Sequence, residues 1–133
     1  MIEATFTALF DLVNESVLML SIEGFFLGEA PRGTTGNYAV FSPITIVPEY
    51  DMSSHLELIP VQITIVTNED LDNEGPSEAI QVGEAMMALC DDATMTITGA
   101  HLIRFDKQSH NLIQDPDGGW MYQIDYVLLV QEA

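Results

Sequence analysis

The sequence predicts an α+β fold: a mostly antiparallel sheet of about 4–5 strands with two helices packed on one face. Apolar residues recur at three- and four-residue steps in two segments and at every second residue in several others. The order is helix, about three strands, helix and two strands, which favours helices and sheet in separate layers. Since the chain has no internal repeat or low-complexity linker, residues 1–133 are expected to form one domain.

The first predicted helix runs from Ile2 to about Leu20. Its apolar residues have helical spacing and are Phe6, Leu9, Phe10, Val13, Val17 and Leu20. Glycines bound the next segment, Gly24 to Gly28, which predicts a short strand or turn. Ala30 to Asn37 is rich in turn residues and is expected to be a loop.

The middle of the chain is expected to be extended. Tyr38 to Val47 predicts a strand in which Pro43 occupies an edge position or a bulge. Pro48 to Ser54 then forms a hairpin tip or projecting loop. The clearest strand follows, with apolar residues at alternate positions: Ile59, Val61, Ile63 and Ile65.

A second helix is predicted to start with Pro76 at its first position and to end near Cys90, preceded by an acidic loop from Asn68 to Glu74. Gly83 lies on the apolar side of this helix, together with Ile80 and Met87. Its missing side chain would permit close approach to the sheet.

Met95 to Arg104 and Met121 to Val130 are expected to be the last two strands. A long connection, Asp106 to Gly119, joins them and contains a strong turn signal at its end. The aromatic residues Trp120, Tyr122 and Tyr126 share one face of the final strand. They are interpreted as core, with a ligand cleft as the alternative.

Charge restricts the possible partners. Twenty-one acidic residues face three basic ones, which gives a formal net charge of −18. Binding to nucleic acid and to anionic lipid relies on Lys and Arg, so neither specific DNA or RNA recognition nor membrane binding is expected. An acidic channel lining would let DNA pass without sticking, although the acids could simply confer solubility.

The sequence has few features that indicate a cellular compartment. The single cysteine, Cys90, cannot form an intramolecular disulfide, and no apolar stretch reaches the roughly 18 residues of a membrane helix. The chain start lacks the basic residues of a secretion signal, so we expect a soluble intracellular product.

No catalytic, cofactor or metal site is predicted. The three histidines, His55, His101 and His110, lie in no recognised motif. Asp70 to Gly75 begins like a calcium-binding EF-hand loop, but the twelfth position is Gln81 where a glutamate belongs. A solvated acidic turn is the simpler interpretation, and a calcium- or small-ligand-binding module stays open as an alternative.

In this order, the segments resemble the bacteriophage tail-completion family, also called tail terminators. The similarity lies in an opening Ile2-Glu3-Ala4 helix, the aromatic Gly24-Phe25-Phe26, the Ala30-Pro31-Arg32-Gly33 loop and the Tyr38-Ala39-Val40-Phe41 strand. Val61-Gln62-Ile63, the Ala79–Leu89 helix and the alternating C-terminal strand complete it. The chain departs from the family in its few basic residues and its long Asp106–Gly119 connection.

The resemblance implies a virion structural protein without enzymatic activity or cofactor. It would form a homohexameric ring at the head-proximal end of the tail, after assembly in the host cytoplasm. Its partners would be copies of itself, the tail tube protein and a head-side neck protein, with DNA passing through unbound. Another head–tail connector is the alternative.

Two sets of residues are predicted to serve such a ring. A closed ring needs two different contact patches on each subunit. Apolar residues expected in loops or edge segments are the predicted oligomer interface: Phe25, Phe26, Tyr50 and Met52. The acidic loop supplies the predicted lumen lining: Glu69, Asp70, Asp72 and Glu74.

Overall fold

The computed structural model describes residues 2–34, 36–43, 56–67, 76–91, 93–114 and 119–132. The helices are α1 (Ile2–Asn14) and α2 (Ser77–Cys90), with a 3₁₀ turn at Val17–Leu20. The strands are β1 (Phe25–Leu27), β2 (Tyr38–Pro43), β3 (Leu56–Thr67), β4 (Thr96–Ile97), β5 (Ala100–Gln114) and β6 (Trp120–Glu132). The predicted α+β class is confirmed; that residues 1–133 form one domain stays a prediction.

The sheet differs from the prediction in strand number and direction. Within the described residues it has six strands, in the order β1-β2-β3-β6-β5-β4, instead of four to five. It is mixed, because β1 runs parallel to β2 while the other neighbours are antiparallel. Parallel neighbours usually need a connection of about a dozen residues. Residues 28–37 suffice here because β1 has only three residues.

The first helix is shorter than predicted. It ends at Asn14, and the apolar spacing up to Leu20 continues into the 3₁₀ turn. The Ser16 hydroxyl donates to the Val13 carbonyl at 2.6 Å, and such a side-chain bond competes with the next helical turn. Val17 and Leu20 therefore point into solvent, although their spacing had suggested a core face.

The predicted connection Asp106–Gly119 is wrong over most of its length. β5 continues to Gln114 and pairs with β6 throughout. The register shifts between Leu102 and Arg104 and again between Lys107 and Ser109, and such bulges disturb the alternation that marks a strand. The segment is also mostly polar, so its sequence resembles a loop.

The core lies on one face of the sheet. Alternate residues of β3 and β6 point inward, including the fully buried Ile63 and Tyr126. Helix α1 covers this face through Phe6, whose ring meets the edge of Phe41 at 5.8 Å. Helix α2 covers it at Gly83, as predicted. The helix α1 contacts both β1 and β4, the two outermost strands, so the sheet curls around it.

Candidate assembly surfaces

Phe25 and Phe26, two of the predicted interface residues, point to opposite faces of the sheet. Phe25 is only 2% exposed and its ring stacks on Phe41 at a centroid distance of 4.4 Å, so the expectation that it is exposed is wrong. As the first residue of β1 it points toward the helices. Phe26 points to the opposite face, half-buried beside Tyr38.

The other six predicted site residues lie outside the described residues. These are Tyr50 and Met52 of the predicted interface and the whole predicted lumen lining, Glu69, Asp70, Asp72 and Glu74. The calcium-like segment Asp70–Gly75 is outside them too. The interface and lumen assignments therefore stay predictions.

An apolar groove lies between α1 and β1, with a volume of about 640 Å³. We call it the α1–β1 groove. It is lined by Glu3, Phe6, Thr7, Phe10, Phe25, Phe26, Leu27, Glu29, Pro31 and Phe41. Phe10 and Leu27 are 37% and 55% exposed, which is unusual for side chains of this size beside a core. The groove therefore presents apolar surface to solvent, with a carboxylate from Glu3 and another from Glu29 in its lining.

A second surface is the sheet face opposite the helices, here called the outer face. No described helix covers it, and its side chains are half-buried by one another. Its rows on β2, β3 and β6 are Tyr38, Val40 and Ser42; Leu56, Leu58, Pro60, Gln62, Thr64 and Val66; Met121, Gln123, Asp125, Val127 and Leu129. The row on β5 is mostly polar: His101, Arg104, Asp106, Ser109, Asn111 and Ile113. Apolar residues make up most of the first three rows, which form a partly exposed apolar layer of the kind that marks interaction sites.

The outer face carries few charged side chains, and these are paired or hydrogen bonded to neighbours on the same face. Asp125 accepts hydrogen bonds from Gln62 Nε2 at 3.1 Å and from Ser109 Oγ at 3.0 Å, so both of its oxygens are engaged. Asp106, on β5, pairs with Arg104 at 3.5 Å. These two are the acids of this face within the described strands. A chain of net charge −18 thus keeps one broad surface nearly neutral.

The 3₁₀ turn exposes two further apolar side chains. Val17 is 83% exposed and Leu20 is 89% exposed, while Leu18 between them is buried. This turn lines neither the α1–β1 groove nor the outer face. It is a small isolated projection, and single exposed apolar residues are common on protein surfaces.

The polar cluster at the end of α2 is structural and joins the buried Tyr126 to the more exposed Asp91 and Lys107. The Tyr126 hydroxyl donates to Asp91 Oδ1 at 2.9 Å, and Lys107 Nζ lies 3.2 Å from Asp91 Oδ2. Burial, with a smaller effect of the nearby Asp91 carboxylate, raises the pKa of the Cys90 thiol to about 12. Burial also raises the pKa of Tyr126. Cys90 is therefore a protonated core residue near neutral pH. It is a poor nucleophile in this state, since only the thiolate is a good one.

The described part of the chain holds no cluster of side chains arranged for catalysis or metal binding. Within these residues, no group of three or more His, Cys, Asp or Glu side chains is arranged to hold a metal ion. None of the described helices has the length and apolar character needed to span a membrane.

Sequence reasoning missed the outer face, although a signal for it exists. Apolar residues occupy both alternating positions in Leu58–Val61 and in Val127–Val130. Such continuous runs indicate strands with two apolar faces. The α1–β1 groove had a weaker signal, because Phe10 fits the core stripe of α1 and only the tertiary structure exposes it.

Comparison with known proteins gives two kinds of similarity. A family model described as Tail completion protein gp17 matches residues 7–128. The fold is similar to a chain in the virion of a native gene transfer agent particle, with a TM-score of 0.73 and 16% identity over 95% of this chain and 92% of that one. A second solved structure has a TM-score of 0.60 and 16% identity, over 98% and 93% of the two chains. No curated protein matches the sequence.

Proposed function

The chain belongs to the tail completion protein gp17 family and is thus a structural protein of the phage tail, and from this premise we propose that it is a tail terminator. Six copies form a ring at the head-proximal end of the tail. The ring caps the tail tube, stops its polymerisation and joins it to the head-side neck. Assembly takes place in the host cytoplasm, and the protein is non-enzymatic.

The observation that carries the ring proposal is the near-neutral outer face. Two copies that each have a net charge of −18 repel one another, and the repulsion is smallest where the facing surfaces hold few charges. The outer face combines apolar side chains with acids whose oxygens are already bonded or paired. It is the described surface best suited to contact with another copy.

A ring also needs a second, different patch, because each copy meets its two neighbours through opposite sides. We assign this patch to Tyr50 and Met52, which lie in the connection between β2 and β3. Phe26 extends the outer face beside Tyr38, so it belongs to the first patch. Phe25 is withdrawn from the interface because it is buried.

Glu69, Asp70, Asp72 and Glu74 are the proposed lining of the central channel. Four carboxylates per copy would give the channel a strongly negative potential, which repels the phosphate backbone and prevents DNA from sticking. The partners of the ring are the tail tube protein and a head-side neck protein. The likeness to a chain of a gene transfer agent virion supports a place in a virion assembly.

The test is the mass of the purified protein in solution, measured by light scattering over a concentration series at low and moderate salt. We expect a mass six times that of the chain, or a rise toward it as salt screens the repulsion between copies. Electron microscopy of the same sample should show rings with a central channel. A closed assembly of twelve would favour a head–tail connector instead, and a strict monomer under all conditions would contradict self-assembly in solution.

A further inference from the structure

The α1–β1 groove lies on the helix side of β1, meets the outer face only at Phe26, and needs its own explanation. Its walls come from the first half of α1 and from the helix-facing side of β1, with Phe10 and Leu27 still partly exposed. The volume of about 640 Å³ lies within the ~300–1,000 Å³ typical of binding clefts. Several apolar side chains of a partner would fit there.

The strand beside the groove has a pairing edge. Within the described residues β1 is outermost and pairs with β2 alone. Ala39 N donates to Gly24 O at 3.0 Å and Gly28 N donates to Phe41 O at 2.9 Å, so every second residue of β1 turns its backbone to β2. The backbone groups of Phe25 and Leu27 consequently point away from β2. Leu27 O already accepts a hydrogen bond from Glu29 N at 3.1 Å, so the edge offers the two N–H groups and Phe25 O. An extended segment can pair with such an edge through main-chain hydrogen bonds.

The acidic residues at the groove indicate which kind of segment would bind there. Carboxylates of Glu3 and Glu29 lie in its lining, while Arg32, on the same loop as Glu29, does not line it. Basic side chains on an incoming segment would thus meet opposite charge as the apolar ones enter the groove. In an added strand every second side chain points to the same side, so apolar residues two positions apart would enter the groove. The basic residues that meet its acids would lie on that same side, before and after the apolar ones.

We propose that the α1–β1 groove binds an extended segment of a different protein, in which apolar residues at every second position are flanked by Lys or Arg, by adding a strand to β1. This inference rests on the proposed function, since the partner would be one of the tail proteins that the ring joins. The groove is then a docking site for a neighbour in the virion, distinct from the contact between copies.

A second copy of the chain fits this groove poorly. The sequence has only three basic residues. Arg104 and Lys107 form ion pairs with Asp106 and Asp91, and Arg32 belongs to the loop beside the groove itself. A segment from another copy would therefore bring acids to an acidic groove, where like charges repel.

The test is a titration of the full chain, labelled with ¹⁵N, with short synthetic peptides followed by NMR. The probe, called the valine–lysine peptide, has valine at every second position with serine between, and lysine on the same side of the strand at both ends. One control peptide has serine in place of valine, and another has glutamate in place of lysine. We expect the valine–lysine peptide to shift the amide signals of β1 and of the first half of α1, and both controls to bind at least about tenfold more weakly, since each loses one of the two contributions.

Variants then locate the site. Leu27→Ser should weaken binding of the valine–lysine peptide about tenfold, while Leu20→Ser, at an equally apolar but separate exposed position, should leave it unchanged. The double variant Glu3→Gln with Glu29→Gln should weaken it about two- to fivefold. Its matched control is Glu15→Gln with Glu84→Gln, which removes two exposed acids outside the groove lining.

Failure of this inference is distinguishable from failure of the ring. No binding of the valine–lysine peptide, equal binding of the serine–lysine peptide, or shifts confined to other strands would overturn the docking site whatever the mass of the assembly. A Leu27→Ser variant that lost oligomer mass instead would show a contact between copies and would also overturn it. A monomeric protein that bound the peptide in the groove would keep the docking site and contradict the ring.

Discussion

Helix α2 rests on the ring of Tyr122 at Gly83, where an added Cβ would stand 2.7 Å from Tyr122 Cγ. The ring has little freedom to withdraw. Its hydroxyl is hydrogen bonded to His110 Nδ1 at 2.7 Å, and the two rings stack at a centroid distance of 5.9 Å. Glycine is therefore required by packing at this point of the helix, since carbon atoms in contact are normally about 3.5–4.0 Å apart.

Replacement of Gly83 by alanine should lower the free energy of unfolding by about 1–3 kcal/mol, the usual cost of overpacking a core. The effect runs against helix propensity, which favours alanine by about 1 kcal/mol. Chemical denaturation followed by circular dichroism measures it. The control is Glu84→Ala, one residue further on the exposed side of α2, which should change stability little. A Gly83→Ala variant as stable as the parent would refute the close contact.

A second prediction concerns the tie between the start of β2 and the start of α2. Asn37 Nδ2 donates to Glu78 Oε1 at 2.5 Å, and Glu78 lies in the first turn of α2, where a negative charge is favourable. Glu78→Ala should cost about 1–2 kcal/mol of stability because it removes both effects. Glu78→Gln should recover part of it through the retained amide oxygen. The free energy of unfolding of both variants is measured by denaturation, with Glu84→Ala as the control. Equal losses of stability in all three would show a general effect of removing a negative charge and would contradict the specific tie.

The α+β class and the two strands with clean alternation were predictable because apolar spacing reports burial directly. The parallel pairing of β1 was not, since a three-residue strand such as Phe25–Leu27 has no period to read. The polar half of β5 was hidden because its pairing with β6, and not an apolar spacing of its own, makes it a strand. The exposure of Phe10 and of the outer face depends on which elements cover them, and apolar spacing does not specify that.

A third prediction follows from the raised pKa of Cys90, about 12 against an ordinary value of 9.0. Between these values the unfolded chain loses the thiol proton while the folded chain keeps it, so rising pH favours unfolding. The stabilisation is complete below about pH 9 and falls by up to about 1.4 kcal/mol per pH unit above it. In Cys90→Ala this contribution is missing. The stability difference between parent and variant should thus narrow as the pH rises from about 9 to 10.5.

Urea denaturation of both proteins at several pH values measures this difference. At pH 7 the parent should be the more stable one, because alanine leaves a small cavity in the core. Alkaline groups away from Cys90 titrate in both proteins and largely cancel in the comparison. A difference that stays constant up to pH 10.5 would show that Cys90 ionises in the folded chain as readily as in the unfolded one.

The last prediction separates the outer face from the rest of the surface. Leu58 lies on this face opposite Leu129, with neighbouring acids already bonded or paired. Leu58→Glu places an unpaired carboxylate in the contact between copies that each carry a net charge of −18, where desolvation and repulsion add. The variant should stay folded, since its side chain is on the face without helices, but its mass in light scattering should fall toward that of one chain. Leu20→Glu makes the same chemical change at an 89% exposed position off this face and should leave the mass unchanged. If both variants retained the parent's assembly, the contact between copies would have to lie elsewhere; if both lost it, net charge rather than the outer face would control assembly.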